Sequence, residues 1–517
     1  LSSLILERAD EKVNSGNGQR PGIRSLMQTI NDLMDQSQVK FGTSGARGLV
    51  LRMTDRVCYT YTVAFLQHLR DQGLLEKGSE VALAGDLRPS TPRIMQAVAR
   101  AIADQGLRPV NCGFIGSPAV AYFGLQRGIP SIMVTGSHIP DDRNGIKFNR
   151  ADGEIAKTDE EGIRNQWVAV PEGLFDTDGA FADPPGLPDV DDTAASQYLM
   201  RYREFFPSEC LKGLRIGVYE HSGVARDMLG TLLAQLGAEV MPLGRSDRFI
   251  PVDTEAIRPE DVSLAKAWAK EHELDAIVST DGDADRPLLA DETGTWFRGD
   301  VAGILCARFL GAKQVVTPVS SNSALEKCGW FERVVRTRIG SPYVIAGMEM
   351  CQASGSIVVG YEANGGFLIA DSIEIDGRVL APLPTRDAVL VPLALMSMAV
   401  QQCCKLSELL TIVPPRFTAS DRLKDFPTEL SLAVLEEFDG ADAKAAIEAR
   451  FGAIAGTVDH VDRTDGTRIT FENLEIIHLR PSGNAPELRC YNEADSAERA
   501  TEMNRLCLQI METWRSQ

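Results

Sequence analysis

Apolar residues along this chain gather in short runs that alternate with stretches of helical spacing. Glu80-Val81-Ala82-Leu83-Ala84-Gly85 reads as a short apolar strand. Pro92 to Gln105 places its apolar positions at helical spacing and stops at Gly106, a residue suited to ending a helix. Arg108 to Cys112 and Pro130 to Val134 read as further strands, which completes the βαβ rhythm of an α/β domain. The rhythm resumes with the strand Leu214 to Tyr219, a helix through Leu229 to Leu236 and the strand Ala238 to Met241. It resumes a third time with Gln314 to Pro318 and Ser356 to Gly360. The last hundred or so residues differ, with strands at Arg468 to Phe471 and Leu488 to Tyr491, then a helix from Ser496 to Trp514. Between the first two units, Pro171 to Thr193 is rich in Pro, Gly and Asp and reads as a linker, and Pro414 and Pro415 mark a later break. The pattern therefore predicts a polar lead-in (1–36), three α/β units (37–185, 186–300 and 301–415) and a smaller α+β unit (416–517).

Composition narrows the function. The formal charge of -19 opposes nucleic-acid binding, which needs a basic face, yet a few Arg and Lys converging in a cleft would still hold a small anion. The ten cysteines form no CxxC pair, which favours free thiols in a reducing compartment over disulfides or zinc. The longest apolar run, Ala388 to Val400, contains Pro392 and falls short of the roughly 20 residues of a membrane span. It predicts a buried helix with Asp387 as its N-cap. No secretory signal stands at the start, so the cytoplasm is the expected compartment, with no membrane or nucleic-acid partner.

Four motifs carry candidate chemistry. Thr135-Gly136-Ser137-His138-Ile139-Pro140 follows an apolar strand, which would place an exposed Ser137 hydroxyl where open α/β sheets keep reacting groups; Lys147 follows ten residues later. Asp281-Gly282-Asp283-Ala284-Asp285-Arg286 alternates carboxylates on a tight loop and can aim three oxygens at one hard cation. An EF-hand is excluded, because Arg286 stands where that loop needs Gly and a strand precedes it. Gly360 to Phe367 offers Glu362 and Asn364 on a glycine loop, suited to vicinal hydroxyls. Arg480-Pro481-Ser482-Gly483-Asn484 joins an Arg to a hydroxyl and an amide in a glycine turn, suited to phosphate. Taken singly, the first, third and fourth also read as plain polar turns, and the second as a solvated acidic turn. Gly42 to Gly48 is a similar glycine-hydroxyl turn carrying Arg47.

In this order the motifs resemble those of the α-D-phosphohexomutase family, from about Lys40 to Asn492. Gly42-Thr43-Ser44-Gly45-Ala46-Arg47-Gly48 is similar to its GTSGxRG signature, Thr135 to Pro140 to its TASHNP phosphoserine loop and Asp281 to Arg286 to its DGDADR metal loop. Glu362 to Gly366 stands at its GExSGH sugar loop and Arg480 to Asn484 at its phosphate-binding loop. The resemblance implies three similar α/β domains with mixed sheets and a fourth α+β domain around a central cleft. It implies Mg²⁺ on Asp281, Asp283, Asp285 and an oxygen of Ser137, which would carry a phosphoryl group. Arg480, Ser482, Gly483 and Asn484 would hold the idle phosphate, and Glu362, Asn364 and Gly365 the sugar. Arg47 and Arg286 would neutralise charge, while His138 and Lys147 are candidates for proton handling.

The implied activity interconverts hexose 1- and 6-phosphates through a 1,6-bisphosphate, which also serves as activator, in a monomer or homodimer. Four positions depart from the family pattern: Gly136 replaces Ala, Ile139 replaces Asn, Asn364 replaces Ser and Gly366 replaces His. The altered sugar loop favours mannose first, glucose second and glucosamine third. The rival readings are a metal-dependent sugar phosphatase and a non-catalytic sugar-phosphate binder.

Overall fold

The computed structural model describes residues 25–42, 45–352, 355–482 and 486–516. Its first three units repeat one strand order, because each is built from the same chain path. In the first unit, Glu80–Gly85 lies parallel between Arg108–Phe114 and Ser131–Val134, and Ser131–Val134 turns back into the antiparallel strand Arg143–Arg150. In the second, Arg215–Tyr219 lies between Glu239–Leu243 and Ala276–Thr280, with Pro287–Ala290 antiparallel beyond. In the third, Gln314–Pro318 lies between Arg333–Thr337 and Val358–Tyr361, with Phe367–Ile369 antiparallel beyond. The sheets are therefore mixed, and the reversing loop after the third strand falls at the same place in each unit. Those three loops carry the motifs that the resemblance reads as serine, metal and sugar loops, and they take those names.

The fourth unit is a five-stranded antiparallel sheet that shares one apolar cluster with the helices Thr428–Glu436, Ala443–Ala455 and Ala497–Thr513. Ser496 starts the last helix, its Oγ accepting from the Arg499 amide at 3.1 Å, as a serine N-cap does. The second and third units share one continuous core, and the helix Gly299–Phe309 runs across the junction expected at residue 300. The described part of the lead-in packs on the first unit: Ser25–Thr29 pairs with Trp167–Pro171, and Ile30 and Leu33 join that unit's core. The proline-rich stretch also folds back, burying Phe181 in the same core.

The apolar helix predicted after residue 388 forms as Leu390–Gln402 and is buried along almost its whole length. Asp387 is not its N-cap. That position belongs to Val389, while Asp387 ends the strand Leu383–Asp387 and accepts from the Val389 amide and the hydroxyls of Tyr198 and Tyr202. A carboxylate already committed to two buried phenols is held two residues too early to cap. No single described helix is long and apolar enough to cross a membrane.

Candidate active site

Ser137 sits just beyond the strand Ser131–Val134, but it is buried rather than exposed, at 1% of its accessible surface. It adopts a left-handed φ of 57°, a conformation L-residues avoid unless the surroundings impose it. Those surroundings are a buried polar frame. The Ser137 amide donates to Thr135 Oγ1 (2.7 Å), and Thr135 Oγ1 donates to Asp86 Oδ2 (2.7 Å). Arg88, paired with Asp86 at 3.1 Å, donates to the carbonyls of Ser137, Ile139, Pro140 and Arg143 at 2.5–3.0 Å. Four carbonyls gathered on one guanidinium explain why the loop holds its shape away from solvent.

Gly282 lets the metal loop approach this serine: a Cβ there would lie 2.6 Å from the Ser137 carbonyl oxygen. Ser137 Oγ donates to Asp281 Oδ2 at 2.6 Å. Asp283 Oδ2 accepts from Ser117 Oγ (2.5 Å) and Lys147 Nζ (2.6 Å), and Asp285 Oδ2 from Lys147 Nζ (2.6 Å) and Arg386 Nη2 (2.8 Å). Lys147 reaches this point because its strand pairs with Gly45–Leu49, which sets Lys147 opposite Gly45 and Arg47 opposite Gly145.

The three aspartates are buried, and one carboxylate oxygen from each lies within 4.8 Å of the others. Asp283 Oδ1 and Asp285 Oδ1 find no hydrogen-bond partner among the described residues. Buried carboxylate oxygens left open in one small oxygen-only cluster fit a hard divalent cation. The charges agree with this. Burial, then Asp283 and Asp285, push Asp281 well above the usual carboxylate range. Burial would raise Asp283 and Asp285 too, but Lys147 for the first, and Arg386 then Lys147 for the second, hold them below it.

The two proton-handling candidates diverge. Burial alone would lower Lys147, yet Asp283 and Asp285 keep it above its ordinary value, so it holds its proton. Burial and the neighbouring Arg286 push His138 down to about 3, so its ring is neutral near pH 7, with Nδ1 3.2 Å from Ser137 Oγ. Arg47 is lowered to about 10 by burial and Arg286, and it feels the field of Asp283 and Asp285. Arg286 is raised: against burial, Asp285 outweighs Arg386.

The sugar loop reaches the same cluster through a residue the motifs did not single out. Glu362 Oε2 accepts from Arg386 Nη1 at 2.9 Å, and the same guanidinium meets Asp285. Asn364 uses its side-chain oxygen inside the loop, accepting from the Gly366 amide (3.0 Å), while its carbonyl accepts from Thr254 Oγ1 of the second unit (2.8 Å). Gly365, at φ 88°, packs on Gly299, whose own Cβ would fall 2.4 Å from the Gly365 nitrogen.

Arg480 is the next-to-last residue of the strand Ile476–Pro481 in the fourth unit, its Nε 2.9 Å from Asp465 Oδ1. Asp465 Oδ2 accepts from the Ile339 amide at 2.9 Å, which docks this strand region on the third unit. Ser482 is buried, its amide donating to the Glu487 carbonyl at 2.8 Å. Thr43, Ser44, Gly483 and Asn484 lie outside the described residues. Ser137, His138, Lys147, the three aspartates, Arg286 and Glu362 thus converge on one buried cluster, with Arg47 coupled to it electrostatically. Arg386, Ser117 and Arg88 are the side chains that sequence reasoning passed over. A signal existed for Arg386: Thr385-Arg386-Asp387 places a charged pair between an apolar strand and an apolar helix.

Comparison with known proteins agrees with this geometry. The chain matches four domain families described as phosphoglucomutase/phosphomannomutase: α/β/α domain I over residues 38–171, domain II over 196–294, domain III over 298–417 and the C-terminal domain over 433–506. It is 45% identical over 470 residues to a phosphomannomutase of Salmonella muenchen, covering 91% of this chain and 95% of that one. It is 46% identical over 464 residues to a phosphomannomutase of Sinorhizobium fredii, covering 89% and 96%. A solved phosphoglucomutase/phosphomannomutase family protein from Burkholderia thailandensis shares the fold, with a TM-score of 0.67 at 19% identity over 92% of this chain and 97% of that one. The chain therefore belongs to the α-D-phosphohexomutase family and is a phosphohexomutase isomerase.

Proposed function

We propose that the enzyme interconverts hexose 1-phosphate and hexose 6-phosphate, with mannose preferred to glucose, through phosphoserine at Ser137 and a bound 1,6-bisphosphate. The observation that carries this reading is the contact of Ser137 Oγ with Asp281 at 2.6 Å beside Asp283, Asp285 and Lys147, all buried. Mg²⁺ held by the three aspartates and an oxygen of Ser137 would polarise the phosphoryl group.

The protein's own groups supply the rest. As the P–Oγ bond to Ser137 breaks and a bond to the sugar oxygen forms, the sugar hydroxyl proton must leave. The balance is a proton passed from the sugar hydroxyl to the departing Ser137 Oγ, and His138, whose Nδ1 lies 3.2 Å from that oxygen, is placed to deliver it there. Lys147 keeps its charge and stabilises the transferring oxygens, with Arg47 and Arg286 beside it. Glu362 and Asn364 hold ring hydroxyls, and Arg480 with Ser482, Gly483 and Asn484 hold the idle phosphate. The 1,6-bisphosphate would both restore phosphoserine and turn over in the cleft. The free state of all ten cysteines supports a reducing, cytoplasmic setting.

Phosphorus NMR of mannose 1-phosphate and glucose 1-phosphate tests this, each with enzyme, Mg²⁺ and a trace of the matching 1,6-bisphosphate. The 6-phosphate should appear, faster for mannose, and vanish with Ser137→Ala. Growth of free phosphate alone would make the protein a phosphatase, and no turnover of either sugar would overturn the reading.

A further inference from the structure

The sugar loop ends at Gly366, and the space a side chain would fill there is taken by another residue. A Cβ on Gly366 would lie 2.8 Å from Cγ and Cδ of Arg386 and 3.0 Å from its Cβ. These are the near carbons of the arginine, not its mobile tip, and its side chain is only 4% exposed, so it has no room to retreat. Gly366 does not carry a left-handed φ, so backbone freedom is not the reason for glycine here. The guanidinium spans two loops from different units, Nη1 on Glu362 at 2.9 Å and Nη2 on Asp285 at 2.8 Å. Its Nε is buried and finds no hydrogen-bond partner among the described residues.

We infer that Arg386 is a positioning residue that ties the sugar-binding carboxylate Glu362 to the metal loop, and that Gly366 is the space this arginine requires. The inference rests on the function proposed above. A planar fork is what the task needs, because it meets two carboxylates at once in fixed geometry. Held through Oε2, Glu362 would keep its other oxygen for a sugar hydroxyl. The pair would therefore set how strictly the enzyme separates hexoses that differ at one hydroxyl.

The test is a double-mutant cycle of Arg386→Ala and Gly366→Ala, with Arg386→Lys as the conservative variant. The readouts are kcat and KM for mannose 1-phosphate and glucose 1-phosphate, with thermal unfolding of each variant. Arg386→Lys and Gly366→Ala should each lower kcat/KM by about 10- to 100-fold, mostly through KM, and narrow the ratio between the sugars. In the Arg386→Ala background Cγ and Cδ are gone and only the Cβ contact at 3.0 Å remains, so Gly366→Ala should cost much less there than in the wild type. Independent, additive losses, or wild-type KM and sugar ratio in Arg386→Lys and Gly366→Ala, would overturn the inference while wild type still turns over. A wild type inert on both sugars would instead overturn the proposed function, and this inference with it. Should Arg386→Ala not fold, the KM and sugar ratio of Arg386→Lys and Gly366→Ala decide alone.

Discussion

Two glycines of the site loops each make room for a buried arginine, and the two arginines do different work. Gly136 sits against Arg88, where a Cβ would fall 2.6 Å from the guanidinium carbon; Gly366 sits against the base of Arg386. Arg88 spends its donors on Asp86 and four backbone carbonyls of the serine loop and its exit, with Phe249 stacked on its face at 4.1 Å. Every contact serves the shape of the chain. Arg386 spends its donors on Glu362 and Asp285, which the proposed function assigns to the sugar and the metal. Both glycines stand where the family pattern has a larger residue, and in each case an arginine from elsewhere occupies the space a side chain would need. The first arginine holds one loop in shape; the second joins two loops of different units.

The largest effect should separate charge from positioning inside the cluster. Lys147 shares Asp285 Oδ2 with Arg386, but it also bridges to Asp283. Lys147→Ala should lower kcat by about 10²- to 10⁴-fold, with phosphoserine formation from the bisphosphate slowed in parallel. Arg386→Lys should act mainly on KM. If both variants shift kcat and KM alike, the two cations form one undivided charge cluster and the contrast drawn for Arg386 fails.

Arg88→Met should strike stability rather than sugar choice. It leaves Asp86 buried without its partner and four carbonyls without their donor, a loss of about 3–5 kcal/mol. Urea unfolding, followed together with hydrogen exchange of residues 135–140, would measure it. Gly136→Ala should cost less, about 1–3 kcal/mol of overpacking, and leave the mannose-to-glucose ratio of surviving activity unchanged. A changed ratio would mean that the serine loop also reads the sugar.

Much of this was legible in the sequence, for a physical reason. Asp281 to Arg286 and Thr135 to Pro140 are contiguous runs, so adjacent residue types disclose the candidate chemistry even where distant residues hold the loop in shape. The repeated strand-helix rhythm was legible because parallel strands buried on both faces are short apolar runs. What stayed hidden was long-range. Arg386 lies twenty residues beyond Gly366, and Ser117 meets Asp283 across two units. Neither pairing follows from spacing. The burial of Ser137 was also missed, because a loop of Gly, Ser, His and Pro gives no sign that an arginine from elsewhere will cover its carbonyls. Asp387 misled for the opposite reason, since a local capping rule was overridden by two distant tyrosines.

The smallest effect tests the rule behind the comparison, that a buried cation survives only with enough acceptors. Arg88 and Arg386 have them; His478 in the fourth unit does not. Its Nε2 meets the Asp465 carbonyl at 2.6 Å, while Nδ1 is buried with no partner among the described residues. Burial, only partly offset by that carbonyl, pushes it from its ordinary 6.5 down to about 4, so the folded ring is neutral at pH 7. The sign follows by linkage. Below about pH 6.5 the unfolded chain binds a proton that the folded chain refuses until about pH 4, so stability is flat above 6.5 and falls as pH drops toward 4. Between pH 7.5 and 5.5 this amounts to about 1 kcal/mol. His478→Gln keeps a side-chain donor, and urea unfolding at the two pH values should show that much of the difference removed. Part of the slope should remain, because His221 is likewise pushed down to about 4, chiefly by burial. An unchanged slope would mean that the folded His478 stays protonated with its one acceptor, so that one carbonyl is enough to keep a buried cation in this fold.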